Sequence, residues 1–295
     1  MKKVIVVLII AIIGVSALTY MVWKGLSQVD FKKLTGTIYM TSPNREGIFI
    51  STSDVVAFNP SKKVFSNTSY SCDSPYVNDE KTKLLGNFVD KIVEYNIGDS
   101  TYREIYKVGR MVTVESPKYV PGRDAVSFLR FSDLIIYDLS KNDIKVIKKI
   151  SKHYSWTKDG KHLYYGSDLG ISRMDIETNT SELVVSGKVI RPTLSYDNKL
   201  LAYQKPKDES ENIFTYDLVV RDLESGQEWK RNTSNAITSY TFSPDGNYIA
   251  YMRQGGEFPY FFKTQRMSVW DFKSNKESTL IKDVGRAANS NFDWK

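Results

Sequence analysis

Phe242-Ser243-Pro244-Asp245-Gly246-Asn247-Tyr248-Ile249-Ala250-Tyr251 decides the reading of this chain, because the same pattern stands twice more upstream. Trp156-Thr157-Lys158-Asp159-Gly160-Lys161-His162-Leu163-Tyr164-Tyr165 matches it, and so does Leu194-Ser195-Tyr196-Asp197-Asn198-Lys199-Leu200-Leu201-Ala202-Tyr203. Each copy is an apolar strand end, a tight Asp-Gly or Asp-Asn turn, and a second apolar strand. The aspartate caps its own turn through its side chain, and Gly or Asn tolerates the left-handed backbone that follows. Asp159, Gly160, Asp197, Asn198, Asp245 and Gly246 are therefore expected to be structural turn residues. Weaker copies precede them. Tyr76-Val77-Asn78-Asp79-Glu80-Lys81 is in phase, as is Ser42-Pro43-Asn44, and Pro121-Gly122-Arg123 fits with one residue deleted.

A second signature follows each turn: a short hydrophobic strand ending in Asp or Asn, a polar turn, and another strand. Its copies centre on Asn59, Asn96, Asp138, Asp175, Asp222 and Asp271. The whole unit recurs roughly every 35 to 50 residues, in the range of a four-stranded propeller blade. One such sheet cannot bury both of its faces, whereas six stacked around an axis cover them and leave only short edges. The expected fold is all-β, a six-bladed β-propeller over residues 37–295, with turns at Asn44, Asp79, Gly122, Asp159, Asp197 and Asp245. Ring closure stays open at this point. Tyr39-Met40-Thr41 can serve as the innermost strand of blade one, but Phe292-Asp293-Trp294 aligns with Tyr154 to Trp156 and competes for that slot.

Composition agrees with strands. Of 295 residues 41% are hydrophobic and 13% aromatic, with 19 Tyr and 14 Phe, side chains that suit a pleated, half-buried surface. Cys72 is the single cysteine, so no internal disulfide forms. The net charge of +7 includes Lys2, Lys3 and Lys24 and comes with no basic run, which gives no support to nucleic-acid binding.

Residues 4–23 carry no charge and read VIVVLIIAIIGVSALTYMVW. At helical rise that length matches the hydrocarbon core of a bilayer. Residues 1–24 are expected to form a transmembrane signal-anchor helix, with a cleaved signal peptide as the rival, Val15-Ser16-Ala17 supplying its small residues. Lys2 and Lys3 favour a cytoplasmic N-terminus. Residues 25–36 then form a short linker, and the propeller lies outside the cytoplasm, membrane-anchored by a single pass.

Ser243-Pro244-Asp245-Gly246 followed by Tyr248-Ile249-Ala250-Tyr251 resembles the repeat of TolB-type propellers, and residues 156–165 and 194–203 fit the same repeat. The resemblance is good over residues 150–252 and weaker over 37–150. It implies the six-bladed fold and leaves function open, since such repeats serve many roles. The Tol-system protein carries an α/β domain before its propeller, and here only about a dozen residues separate the anchor from the first blade. A Tol-complex role is therefore not implied.

Catalytic signatures are sparse. His153 and His162 fall on either side of one turn, and neither His-Glu-x-x-His nor Cys-x-x-Cys spacing occurs. There is no Gly-x-Ser-x-Gly elbow. The reading assigns no catalytic residue, no metal and no cofactor. Paired carboxylates in a central funnel would make a glycan-active enzyme the alternative, but the acidic residues mostly repeat in turns. Function in repeat proteins concentrates where the repeat is irregular. Two blades carry long insertions between their second and third strands, around residues 205–212 in blade five and 253–263 in blade six. The second brings Arg253, Phe258, Tyr260, Phe261, Phe262 and Lys263 together after a Gly255-Gly256 pair. Aromatics and Arg dominate binding hot spots, so these six are the candidate partner-binding residues. The expected function is a membrane-tethered scaffold or sensor for an unknown protein or peptide in the cell envelope.

Overall fold

The structure, a computed structural model, describes residues 28–295 except 42–53, 89, 110–111, 148–149, 151–152, 208–215, 234–235, 255–264, 283 and 285–290. Six four-stranded antiparallel sheets are arranged in sequence order. Blade two is Asp73–Val77, Lys83–Phe88, Lys91–Asn96 and Tyr102–Lys107, counted from the axis outward. Blade three runs from Val114–Tyr119 to Asp143–Ile147, blade four from Tyr154–Trp156 to Ser181–Ser186, blade five from Ile190–Leu194 to Glu228–Arg231, and blade six from Ile237–Phe242 to Lys276–Ile281.

Blade one joins both ends of the chain. Phe292–Trp294 is its innermost strand, followed by Ile38–Thr41, Asp54–Asn59 and Val64–Ser71. Tyr39-Met40-Thr41 is therefore not the innermost strand. Ile38–Thr41 is paired on both edges, with Met40 opposite Phe292 on one side and Val56 on the other. Ile38, Met40 and Thr41 are all buried, as a strand between two neighbours requires. Where other blades have a covalent turn, Thr37 and Lys295 exchange backbone hydrogen bonds of 2.6 and 2.9 Å. The turn expected at Asn44 lies outside the described residues, and because Asn44 follows the second strand of blade one rather than the innermost, it does not occupy the first-turn position expected for it. Residues 42–53 join the second strand of blade one to the third, so this blade too has a long connection there. Three consecutive blades, five, six and one, thus carry long second-to-third connections rather than two.

The turn chemistry is local and repeats. Asp159 Oδ1 accepts from Thr157 Oγ1 at 2.6 Å and from the Lys161 amide at 3.0 Å. Asp197 does the same with Ser195 and Lys199, and Asp245 with Ser243 and Asn247. Gly160 (φ 63°), Asn198 (φ 61°) and Gly246 (φ 70°) take the left-handed position. In blade two Asn78 Oδ1 accepts from the Thr82 and Lys83 amides, and Lys81 (φ 58°) is the left-handed residue. Blade three needs no deletion. Val120 bonds Ala125 across the same interval as Thr157 to His162, with Pro121 ahead of a left-handed Gly122 (φ 69°), a type II pattern. All six second signatures sit where expected, each on the last residue of a third strand.

Six apolar clusters fill the six gaps between neighbouring blades. A sheet covered on both faces reads as a continuous hydrophobic run rather than an alternation, as in Ala125–Arg130 and Leu200–Pro206. The outermost strands, such as Asp143–Ile147, are largely exposed. The stretch 25–36, expected as a linker, is docked from Val29 onward. Val29 and Leu34 are buried between blades one and six, Phe31–Lys33 forms a 3-10 turn, and Trp294 Nε1 donates to the Thr35 carbonyl at 2.8 Å. The expected anchor lies outside the described residues. Among those described, no helix is long and apolar enough to cross a membrane.

Candidate functional site in the axial channel

Where the six innermost strands converge they enclose a cavity of about 460 Å³. Its wall takes residues from every blade: Tyr76, Lys118, Tyr154, Arg191, Tyr240 and Asp293 are one from each. The first turns contribute Asp79, Lys81, Lys158 and Asn198. These turns touch one another around the ring. The Lys158 amide donates to Asn198 Oδ1 at 3.1 Å, and Gly160 lies so close to the preceding turn that a Cβ there would meet the Pro121 carbonyl oxygen at 2.0 Å.

Three innermost strands share one distortion. Ser74 (φ 48°), Ser116 (φ 53°) and Arg191 (φ 61°) are left-handed, and each precedes a proline. At each, the pairing register slips between the residues flanking the dipeptide. A bulge of this kind re-aims side chains, and all three dipeptides line the cavity. Non-glycine residues held there cost of order 1–3 kcal/mol each and cluster at functional sites. A sequence signal existed for them. Pro75, Pro117 and Pro192 each stand three positions before the first residue of a turn, Asn78, Val120 and Ser195.

The closing strand supplies the charged centre. Asp293 is buried and accepts from the Val77 amide at 2.9 Å. Burial raises its pKa, against the pull of Lys295, the Val77 amide and Lys118. Lys295 Nζ is 2.8 Å from Asp79 Oδ1 and lies 4.4 Å from the Tyr196 ring centroid and 5.2 Å from that of Tyr76. Lys118 Nζ lies 6.0 Å from the Tyr76 centroid and 4.9 Å from that of Tyr154, and donates to the Tyr154 carbonyl at 2.5 Å. A ladder of alternating rings and ammonium groups, Tyr154, Lys118, Tyr76, Lys295 and Tyr196, thus crosses the channel wall. Burial pushes the Lys118 amine down to about 8, with Asp293 opposing and Lys295 assisting. It pushes the Tyr76 hydroxyl up to about 12. Arg191 is lowered by burial as well, and its Nη1 donates to the Thr238 carbonyl.

The sequence-derived candidates lie elsewhere. Arg253 is the last but one residue of the second strand of blade six and pairs with Glu277 Oε1 at 3.3 Å. Glu277 also holds Arg231, so Arg253 is tied into its own wall of the ring. Phe258, Tyr260, Phe261, Phe262 and Lys263 lie outside the described residues. His162 is 3.7 Å from Asp175, opposite it across the second and third strands of blade four, while His153 lines the axial cavity. Among the described residues no cluster of His, Cys, Asp or Glu is arranged to hold a metal ion.

The chain is similar in structure to a TolB-designated protein from Agrobacterium tumefaciens, with a TM-score of 0.62 at 12% identity over 84% of this chain and 89% of that one. The likeness is in the fold, a six-bladed β-propeller. Two further solved structures share the architecture. The β-propeller domain of Cps50 (Swd1) from Myceliophteria thermophila gives a TM-score of 0.55 at 15% identity, over 83% of this chain and 87% of that one. An oligogalacturonate lyase in complex with manganese gives 0.52 at 11% identity, over 77% and 70%. No protein-family model and no curated protein matches the sequence. At these identities the likeness concerns the fold, and function is carried by the propeller's own site.

Proposed function

We propose that this propeller is a binding module of the scaffold or sensor kind whose ligand, a protein segment or peptide, enters the axial cavity. The observation that carries the reading is the cavity itself, walled by all six blades and lined with tyrosine rings and cations. Its inner strands keep three strained dipeptides, strain that stability alone would not select. Both lining carboxylates are engaged, Asp79 with Lys295 and Asp293 with the Val77 amide. This favours recognition over acid–base chemistry, although the burial-raised carboxyl of Asp293 supports the alternative of a glycan-active enzyme. The proposal takes the aromatic run at 258–262, in the connection between the second and third strands of blade six, as a second point of contact with the partner. In this proposal residues 4–23 tether the module to the membrane, with the propeller outside the cytoplasm.

Photo-crosslinking in intact cells tests the reading. A crosslinking residue at Asn198 in the channel wall is expected to give one discrete, protease-sensitive adduct. The same residue at position 258 is expected to capture the same partner. Adducts that resist protease but yield to glycan hydrolysis would favour the enzyme reading, and no adduct from position 198 would remove the cavity as the ligand site.

A further inference from the structure

Among the described residues, three buried or half-buried carboxylates in the blades each hold two cations. Arg103 and Lys83 share Glu94, Lys207 and Lys230 flank Asp217, and Arg231 and Arg253 share Glu277. The axis differs. Five cationic side chains line the cavity, and only Lys295 has a carboxylate within ion-pair distance. Lys81, Lys118, Lys158 and Arg191 have none among the described residues.

Lys118 and Arg191 are part-buried and satisfied chiefly by neutral groups, the Tyr154 and Thr238 carbonyls. A cation withdrawn from water without a counter-ion has lost hydration and gained little. Tyrosine rings stabilise an ammonium without neutralising it, so the charge of Lys118 remains available. Asn291 adds an amide donor whose contacts, with Ser74 and Ser116, are both long at 3.4 Å. Five cationic side chains line the cavity against two carboxylates, Asp79 and Asp293, and a concave site with that excess of positive charge gathers anions from solution.

We propose that the axial cavity is a receptor for a small, multiply charged oxyanion, a di- or tricarboxylate or a phosphate ester. Lys118 and Arg191 contact it inside, and Lys81 and Lys158 meet it at the mouth. This rests on the reading of the cavity as the ligand site and departs from it in the occupant, a small anion in place of a peptide. About 460 Å³ falls within the range of small-molecule pockets, roughly 300–1,000 Å³. The walls already hold both polar and aromatic groups for such a ligand.

The test is calorimetric titration of the full chain in detergent micelles with citrate, with inorganic pyrophosphate and with glucose as the uncharged comparator. Saturable one-to-one binding of citrate or pyrophosphate, weakened by salt and absent for glucose, is expected. Lys118→Met is expected to weaken it at least about tenfold, and Lys118→Arg to restore most of that loss. Lys158→Gln, at an exposed position that cannot disturb the core, is expected to weaken it about threefold with an unchanged ligand-free unfolding midpoint. Binding of neither anion, or unaltered binding in both Lys118→Met and Lys158→Gln, would overturn the proposal. Binding of a hexaglutamate peptide but of neither small anion would also overturn it while leaving the peptide-binding module standing. Citrate binding together with no adduct from position 198 would keep the receptor and remove the peptide.

Discussion

Asp159 shows how much of this fold rests on single side chains. Its carboxylate closes a turn through the Thr157 hydroxyl and the Lys161 amide, and those bonds, led by the Thr157 hydroxyl, hold its pKa below the usual carboxylate value. Asp159→Ala is expected to cost about 0.5–2 kcal/mol, by analogy with helix caps, read as a lower urea midpoint with ligand binding retained. Because the folded-state pKa is depressed, this contribution is present at neutral pH. It fades as pH falls below the ordinary value of about 4 and through the folded one, so wild type and variant should converge in acid. Gly86 is a residue of the opposite kind, chosen for space. A Cβ there would meet Cys72 Sγ at 2.1 Å, and Cys72 is fully buried between blades one and two. Gly86→Ala should therefore destabilise by about 1–3 kcal/mol through overpacking, measured by chemical denaturation.

At the scale of elements, the closing strand Phe292–Trp294 matters out of proportion to its three residues. It completes the blade-one sheet beside Ile38–Thr41, fills the gap to blade six with Trp294, and brings Asp293 to the axis. Trp294 is wholly buried, and its indole nitrogen has a partner in Thr35. Trp294→Ala is expected to cost about 3–5 kcal/mol, seen as a large fall in the thermal midpoint. Removing residues 291–295 should go further. It takes Asn291, Phe292, Asp293 and Lys295 out of the cavity wall and unpairs one edge of Ile38–Thr41. Loss of a single cooperative unfolding transition together with loss of citrate binding is the expected result, followed by calorimetry.

The molecule as a whole is a closed ring in which each apolar cluster belongs to two blades. No blade is a stable unit by itself, since each needs a neighbour on either face. The docked segment from Val29 to Thr35 ties the start of the described chain to the seam between blades one and six. Residues 1–27 stand outside that framework. A chain beginning at Gln28 is expected to leave the membrane fraction while keeping the thermal midpoint of the full chain. Retention in the membrane fraction would show that residues 4–23 are not the tether.

The sequence by itself determined the blade. An Asp-Gly turn is stabilised by bonds among residues two to five positions apart, so its pattern survives in one dimension and six copies of the unit are countable. Even the axial dipeptides at Pro75, Pro117 and Pro192 carry a fixed offset from their turns that the chain displays openly. Tertiary structure alone decided which segment closed the ring. Tyr39-Met40-Thr41 and Phe292-Asp293-Trp294 both have the composition of an inner strand, and the difference lies in which has partners on both edges. That placement also turned residues 42–53 into a third long connection. The charged axis was equally illegible. Lys118, Arg191 and Lys295 are scattered over three blades, each indistinguishable in sequence from a solvated surface cation. They meet only because the closed ring points every inner strand at the same line, and no local rule encodes a distance between residues that far apart in the chain.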